Sequence, residues 1–265
     1  MLRQDYKDKA LTARKWVLKM IHKAGSSHIG SNLSIIDVAT VLYELINIDK
    51  ELKPDRDRVI WSKGWAAATA YYFLADKGII SDEELATYGN PEGKLLGLVE
   101  RGTRGIEAST GSMGHGLPIG LGMALGAERM GDSWNTYVIM SDGEMNCGTT
   151  WESALLAAQH KLTNLRVIVD VNGLQAMGDT VDILNTHPLR EKWEAFGWEV
   201  RECDGHDHID IHRMLSFPPI SPLKPIVLLA HTTKGKGVPF MEGLNLWHYK
   251  DVNTETFDRA IAELR

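Results

Sequence analysis

Only two cysteines, Cys147 and Cys203, occur in 265 residues, far apart and in no metal-ligand spacing. Their scarcity excludes a disulfide framework and suggests a reducing compartment. Long apolar runs are also missing. The longest weakly polar stretch, residues 114–127, is too short to cross a bilayer and contains Pro118. Residues 1–15 are charged and helical in pattern and lack an apolar signal core. Nor is there a surplus of positive charge. Lysine and arginine number 29 against 35 acidic residues, for a net charge of −6 and a pI near 5.9, which argues against nucleic acid or an anionic membrane as a partner. Repeats and low-complexity segments are absent. The expectation is a cytoplasmic protein.

What is present is an ordinary soluble composition, 43% hydrophobic and 24% charged. The length suits one large α/β domain over residues 1–265 with a sizeable core. Ser34, with Asp37 three residues on, has the capping-box arrangement of a helix start, and apolar residues follow through Ile46. Residues 59–61 read as a short strand and 65–76 as a helix closed by Gly78. Residues 88–109 form a long glycine-rich connection, of a kind that is usually functional or disordered. From 114 to 131 a helix carries Gly116, Gly120 and Ala124 four apart, a face expected to pack against another chain at a cofactor-bearing interface, with packing inside this chain as the alternative. Strands are expected at 136–140, 165–170, around Val200 and at 226–230, with helices starting at Thr149 and lying near 189–196 and 209–215. Thr254 caps a last helix. This alternation implies right-handed crossovers and a doubly wound, mostly parallel sheet with helices on both faces. Ligands of such sheets sit beyond the carboxyl ends of the strands, so the loops after Met140, Asp170 and Ala230 share one rim.

Those loops hold Ser141-Asp142-Gly143-Glu144 and Asp170-Val171-Asn172-Gly173-Leu174. Asp142 and Asn172 are one strand–loop–helix–strand unit apart, so both can face one point. An acid and an amide are poor acid–base partners but good hard-oxygen ligands, and the Leu174 carbonyl offers a third oxygen. Mg²⁺ takes six oxygens and, with few protein ligands, relies on phosphates and water. Gly143 has no Cβ, so its N–H can approach a phosphate, and the helix from Thr149 adds its positive end nearby.

Asp142-Gly143 followed about thirty residues later by Asn172 resembles the thiamine-diphosphate motif. The resemblance extends along the chain. Ser27-His28-Ile29-Gly30, Arg56-Asp57-Arg58, Ser62-Lys63-Gly64, Glu107-Ala108-Ser109-Thr110-Gly111-Ser112 and Lys234-Gly235-Lys236-Gly237 with Trp247-His248 are similar to the diphosphate-binding domain of transketolases. This implies that Asp142, Asn172 and the Leu174 carbonyl ligate Mg²⁺ and that Gly143 binds the diphosphate. Gly111 and Met113 would line the cofactor, and His28 and His248 would face the thiazolium carbon and the substrate hydroxyls. In the family the cofactor supplies the carbanion that attacks a ketose, and the protein mainly positions it. The glutamate that activates the aminopyrimidine lies in a second, pyrimidine-binding domain. A chain that ends after one domain resembles the N-terminal subunit of a split transketolase. The implied partner is a C-terminal pyrimidine-binding subunit, in an α2β2 assembly without which the chain is inactive.

Each feature also has a plainer reading. An Asp-Gly after a strand is most often a turn. His28 alone would be a surface histidine, and His248 beside Trp247 could cap a packed aromatic. His206-Asp207-His208 with His212 invites a zinc site, but Asp207 suits a helix cap with solvated histidines around it. Lys234-Gly235-Lys236-Gly237 lacks the Gly-Lys-Ser/Thr ending of a P-loop, although Lys234 can still help hold anionic ligands.

The chain departs from the transketolase pattern at Ser141, for a glycine, and at Cys147, for a glutamate of an acidic network in which Glu152 is retained. It also departs at Trp65, for a histidine, and at Asn90, for the histidine of a Gly-His-Pro-Glu segment, while Tyr249 stands where glycine is usual. The two lost histidines normally contact donor hydroxyls, so Trp65 is either a substrate wall or a filler at a subunit interface. Three functions follow: ketol transfer between ketose- and aldose-type substrates, a related lyase or acyl transfer on a smaller 2-keto compound, or a silent cofactor-binding scaffold.

Overall fold

The computed structural model describes residues 3–264. Met1 and Leu2, the first positions of the helical pattern at 1–15, and Arg265 lie outside the described residues. Five strands, β1 Arg58–Trp61, β2 Thr136–Ser141, β3 Leu165–Val171, β4 Glu199–Asp204 and β5 Ile226–His231, form one sheet in the order β1-β2-β3-β5-β4. Every pairing among them is parallel, so the sheet is fully parallel where the sequence implied mostly parallel. The register sets Ser141 opposite Asp170 and Asp170 opposite Ala230, which brings the carboxyl ends of β2, β3 and β5 level.

Helices cover both faces because alternate strand residues point to opposite sides. Val138, Val167 and Val227 pack against α5 Gly116–Met130, α6 Gly148–Gln159 and α8 Leu189–Ala195. Ile139, Ile168 and Leu228 face α1 Arg3–Ala24, α2 Ile29–Leu45, α3 Ala67–Asp76, α9 His208–Ser216 and α10 Thr254–Glu263. The short helices α4 Asp82–Leu85 and α7 Thr180–Leu184 sit in loops. Residues 88–109 carry no helix, as read from their lack of periodicity.

Four local expectations change. Ser34 does not start a helix: α2 opens at Ile29, with His28 as its left-handed N-cap at φ 69°. Buried from Ile29 to Tyr43, α2 has no polar face to mark its period, and Ser34 in its interior donates to Asp170 Oδ2 at 2.6 Å. Asn253, not Thr254, caps α10, its side chain accepting from Thr256 N. The Gly116–Gly120–Ala124 stripe packs within the chain. A Cβ on Gly116 would come within 2.2 Å of Ser62 Cβ, and one on Gly120 within 2.4 Å of Val138 Cγ2. Asp207 does cap α9, but the histidines beside it are not solvated. His206 Nδ1 lies 2.8 Å from Asp37 Oδ2 while its Nε2 accepts from Thr233 N, and His208 is buried in a stack on Tyr6.

Candidate active site

Beyond the carboxyl ends of β2 and β3 lies a cleft of about 490 Å³. It is lined by His28, Gly111, Met113, Gly143, Asn172, Leu174 and His248, and Asp142 is buried directly beneath. All eight residues singled out in the sequence therefore meet at one place, carried there by five separate segments of the chain.

The floor is a pair of interlocked turns. Asp142 Oδ1 accepts from Gly143 N at 2.9 Å and Oδ2 from Gly173 N at 2.7 Å, which ties the β2 loop to the β3 loop. Asn172 Oδ1 accepts from Leu174 N at 3.1 Å, and its Nδ2 donates to Asp170 Oδ2 at 3.2 Å. Burial, and then the negative charge of Asp170, raises the Asp142 carboxyl to about 6. A carboxylate under that strain is stabilised by any cation that joins it. Among the described residues no trio of His, Cys, Asp or Glu side chains is placed to hold a metal. A cation here would draw on one carboxylate, an amide and a carbonyl, a hard-oxygen set that fits Mg²⁺ delivered with phosphate oxygens.

Two details of the phosphate reading differ from expectation. The Gly143 N–H is turned onto Asp142 and is not free for an anion. A short 3-10 turn, Asp142–Asn146, separates β2 from α6, and the first residues of α6 do not line the cleft. Positive charge comes instead from buried lysines. Lys63 lines the cleft and pairs with Asp170, which also accepts from Ser34 and Thr232. Burial alone would raise the Asp170 carboxyl, but the Lys63 ammonium holds it below its usual range. Lys234 stands behind the cleft wall, and its Nζ reaches Leu174 O at 3.3 Å, Gln175 O at 3.5 Å and His248 Nδ1 at 2.7 Å. None of these partners is an anion. Burial, and then repulsion from Lys63, lowers the Lys234 ammonium to about 8.

One wall of the cleft is aromatic. His28 and Trp65 stack with ring centres 4.3 Å apart, and His248 and Tyr249 meet the His28 ring edge-on at 4.8 and 5.7 Å. Asn32 Nδ2 donates to the carbonyls of both His28 and Trp65, while its Oδ1 accepts from Thr69, so one buried amide fixes the stack. Burial, and then the charge of Lys234, lowers His28 to about 4 and His248 to about 3; both imidazoles are neutral at pH 7. Trp65 lines the cleft, stacked on His28, and is itself partly exposed. Asn90 does not line the cleft; its Oδ1 accepts from Glu92 N in an exposed turn.

Sequence reasoning missed Asp170 as a hub, Glu144 and the full role of Lys63. Glu144 is buried, accepts from Ser62 Oγ, Gly114 N and Ser141 N, and is raised by that burial. Signals existed: Asp170 is the one acid in the apolar run Leu165–Val171, and Ser141 with Glu144 three on is a capping box, which the structure forms.

The domain model described as "Transketolase, thiamine diphosphate binding domain" matches residues 6–260. One of the named subunits of the apulose-4-phosphate transketolase of Actinobacillus succinogenes is 43% identical, covering 98% of this chain and 95% of that protein. The 6-deoxy-6-sulfo-D-fructose transketolase subunit of a Clostridium species is 38% identical over 98% and 96% of the two chains. Among solved structures, the transketolase of Campylobacter jejuni superposes with a TM-score of 0.92 at 30% identity. That match covers 98% of this chain but 42% of the Campylobacter enzyme, so the chain spans about two fifths of that protein's length.

Proposed function

This chain belongs to the transketolase family through its thiamine-diphosphate-binding domain, and we propose that it is the diphosphate- and Mg²⁺-holding subunit of a split transketolase-like enzyme. The reaction is transfer of a two-carbon ketol unit between ketose- and aldose-type substrates. One observation carries the reading: the hard-oxygen turn of Asp142, Asn172 and Leu174 stands against two buried lysines, Lys63 and Lys234, at a single cleft. That arrangement suits a metal-bound diphosphate, which needs oxygen ligands for the cation and positive charge for the remaining phosphate oxygens.

Thiamine diphosphate, when bound, supplies the nucleophilic carbon that takes the ketol unit. The rest falls to this chain. Asp142 and Asn172, with the Leu174 carbonyl, hold Mg²⁺; Gly143, lacking a side chain, lets the diphosphate lie close to the turn. Gly111 and Met113 contact the cofactor from the opposite loop. His28 and His248, neutral and facing the cleft, hold and move protons at substrate hydroxyls. Trp65 covers one face of His28 and keeps water from it. The two relatives are named for a sugar phosphate and a sulfo-sugar, which supports a ketose or close analogue as donor here.

We place residues 1–265 in one thiamine-diphosphate-binding domain. The naming of both relatives as transketolase subunits supports a partner, which we take to be a C-terminal, pyrimidine-binding subunit in an α2β2 assembly in the cytoplasm. Among the described residues no helix is long and apolar enough to cross a membrane. The test is co-expression with a candidate partner of roughly domain size, followed by a screen of ketose and 2-keto acid donors. Ketol transfer by the mixture, and by neither component on its own, is expected. Robust transfer by this chain alone contradicts the reading.

A further inference from the structure

We propose that Lys234 is a positioning residue that fixes His248 in the tautomer with its proton on Nε2. His248 then meets the substrate as a hydrogen-bond donor, and His28 is left as the imidazole of the pair that can accept a proton. The inference deepens, and rests on, the reading of this cleft as the substrate site.

A lysine ammonium has three N–H groups and no lone pair. The Nζ of Lys234 has three neighbours within hydrogen-bonding distance: Leu174 O at 3.3 Å, Gln175 O at 3.5 Å and His248 Nδ1 at 2.7 Å. The ammonium has no lone pair to accept with, so the contact to His248 Nδ1, like those to the two carbonyl oxygens, is a donation from Lys234. A neutral imidazole that accepts at Nδ1 carries its proton on Nε2. Nδ1 is thereby committed, and Nε2 is the nitrogen His248 has left for the cleft it lines.

His28 differs. Its Nδ1 lies 2.7 Å from Ser27 Oγ, a hydroxyl that both donates and accepts, so its ring can carry the proton on either nitrogen. The two rings meet edge to face at 4.8 Å and 64°, and His28 N donates to His248 O at 3.0 Å. Two histidines that look equivalent in sequence therefore have different proton chemistry, set by one lysine and one serine.

The test is a two-bond proton–nitrogen correlation spectrum of the full chain, isotope-labelled at histidine, at neutral pH. His248→Gln assigns the signal. The Nε2–H pattern is expected for His248 in the wild type, and a mixture of tautomers in Lys234→Met. An Nδ1–H pattern in the wild type, or an unchanged pattern in Lys234→Met, overturns the proposal. If Lys234→Met does not fold, the wild-type spectrum alone decides. The readout needs neither cofactor nor partner, so its failure is separate from failure of the cofactor assignment. In the assembled enzyme, His248→Gln, which restores a side-chain N–H, should keep more turnover than His248→Ala. Equal losses in both contradict the donor role.

Discussion

The backbone N–H of His28 donates to the backbone carbonyl of His248 at 3.0 Å, joining the first turn of α2 to the loop after β5. Because this link is main chain to main chain, it survives replacement of either side chain. Asn32 adds a second tie, from His28 O to Trp65 O. The two histidines and the indole thus share one frame, within which individual side chains can be changed and their effects read separately.

His28→Ala is expected to leave thiamine diphosphate affinity in the assembled enzyme largely unchanged and to lower kcat by ~10²–10⁴-fold, the usual contribution of a positioned acid–base group. Steady-state kinetics beside cofactor titration separates the two effects. A wild-type kcat in this variant makes His28 structural.

Trp65→His tests the aromatic wall. An indole offers one N–H donor and a large apolar face where the resembled family has a hydroxyl-binding imidazole. Leaving a buried hydroxyl unpartnered costs about 1–3 kcal/mol, enough to move donor preference by one to two orders of magnitude. Improved activity on common ketose phosphates, with association to the partner unchanged, is the expected result. An unchanged donor profile together with weaker association would assign Trp65 to the interface.

Gly120→Leu should lower the melting temperature of the chain on its own, since even a Cβ at this position would press on Val138. Overpacking of this kind typically costs about 1–3 kcal/mol. A variant that melts like the wild type but fails to join its partner would restore the helix face to the interface.

Stability of the metal-free chain should fall as pH drops from 6.5 towards 4. His28 and His248 are depressed from 6.5 to about 4 and about 3. Across that window the unfolded chain binds protons that the folded chain refuses, so stability rises with pH. Asp142 acts in the opposite sense. Its carboxyl is raised from 3.8 to about 6, so its contribution is present below 3.8 and lost as pH rises through 6. Thermal melts at a series of pH values should therefore show a flatter slope for the His28→Gln/His248→Gln double variant and a steeper one for Asp142→Asn. Identical slopes in all three proteins contradict these assignments.

The sheet and most helices were legible because β2, β3 and β5 are short, largely apolar runs and the intervening helices carry their own starts and stops. The start of α2 was not, because a helix buried all round leaves no polar face to mark its period and its cap is a left-handed histidine instead of a serine. Asp142, Asn172 and His28 could be picked out as residues whose chemistry matches a motif. Asp170 left a signal as the one acid in its strand, but its pairing with Lys63, on the loop after β1, joins separate elements and shows only in the fold. The small-residue stripe on α5 read as an interface and packs inside the chain instead, because close approach of backbones looks the same in sequence whichever chain provides the second one.

The central claim is that Asp142 and Asn172 hold the cation of a bound diphosphate, and calorimetry on the assembled enzyme tests it most directly. Thiamine diphosphate should bind the wild type in a Mg²⁺-dependent manner, Asn172→Ala weakly, and Asp142→Ala not measurably, since that change removes the only charged ligand proposed for the site. Unchanged affinity in both variants, with or without Mg²⁺, would contradict the account.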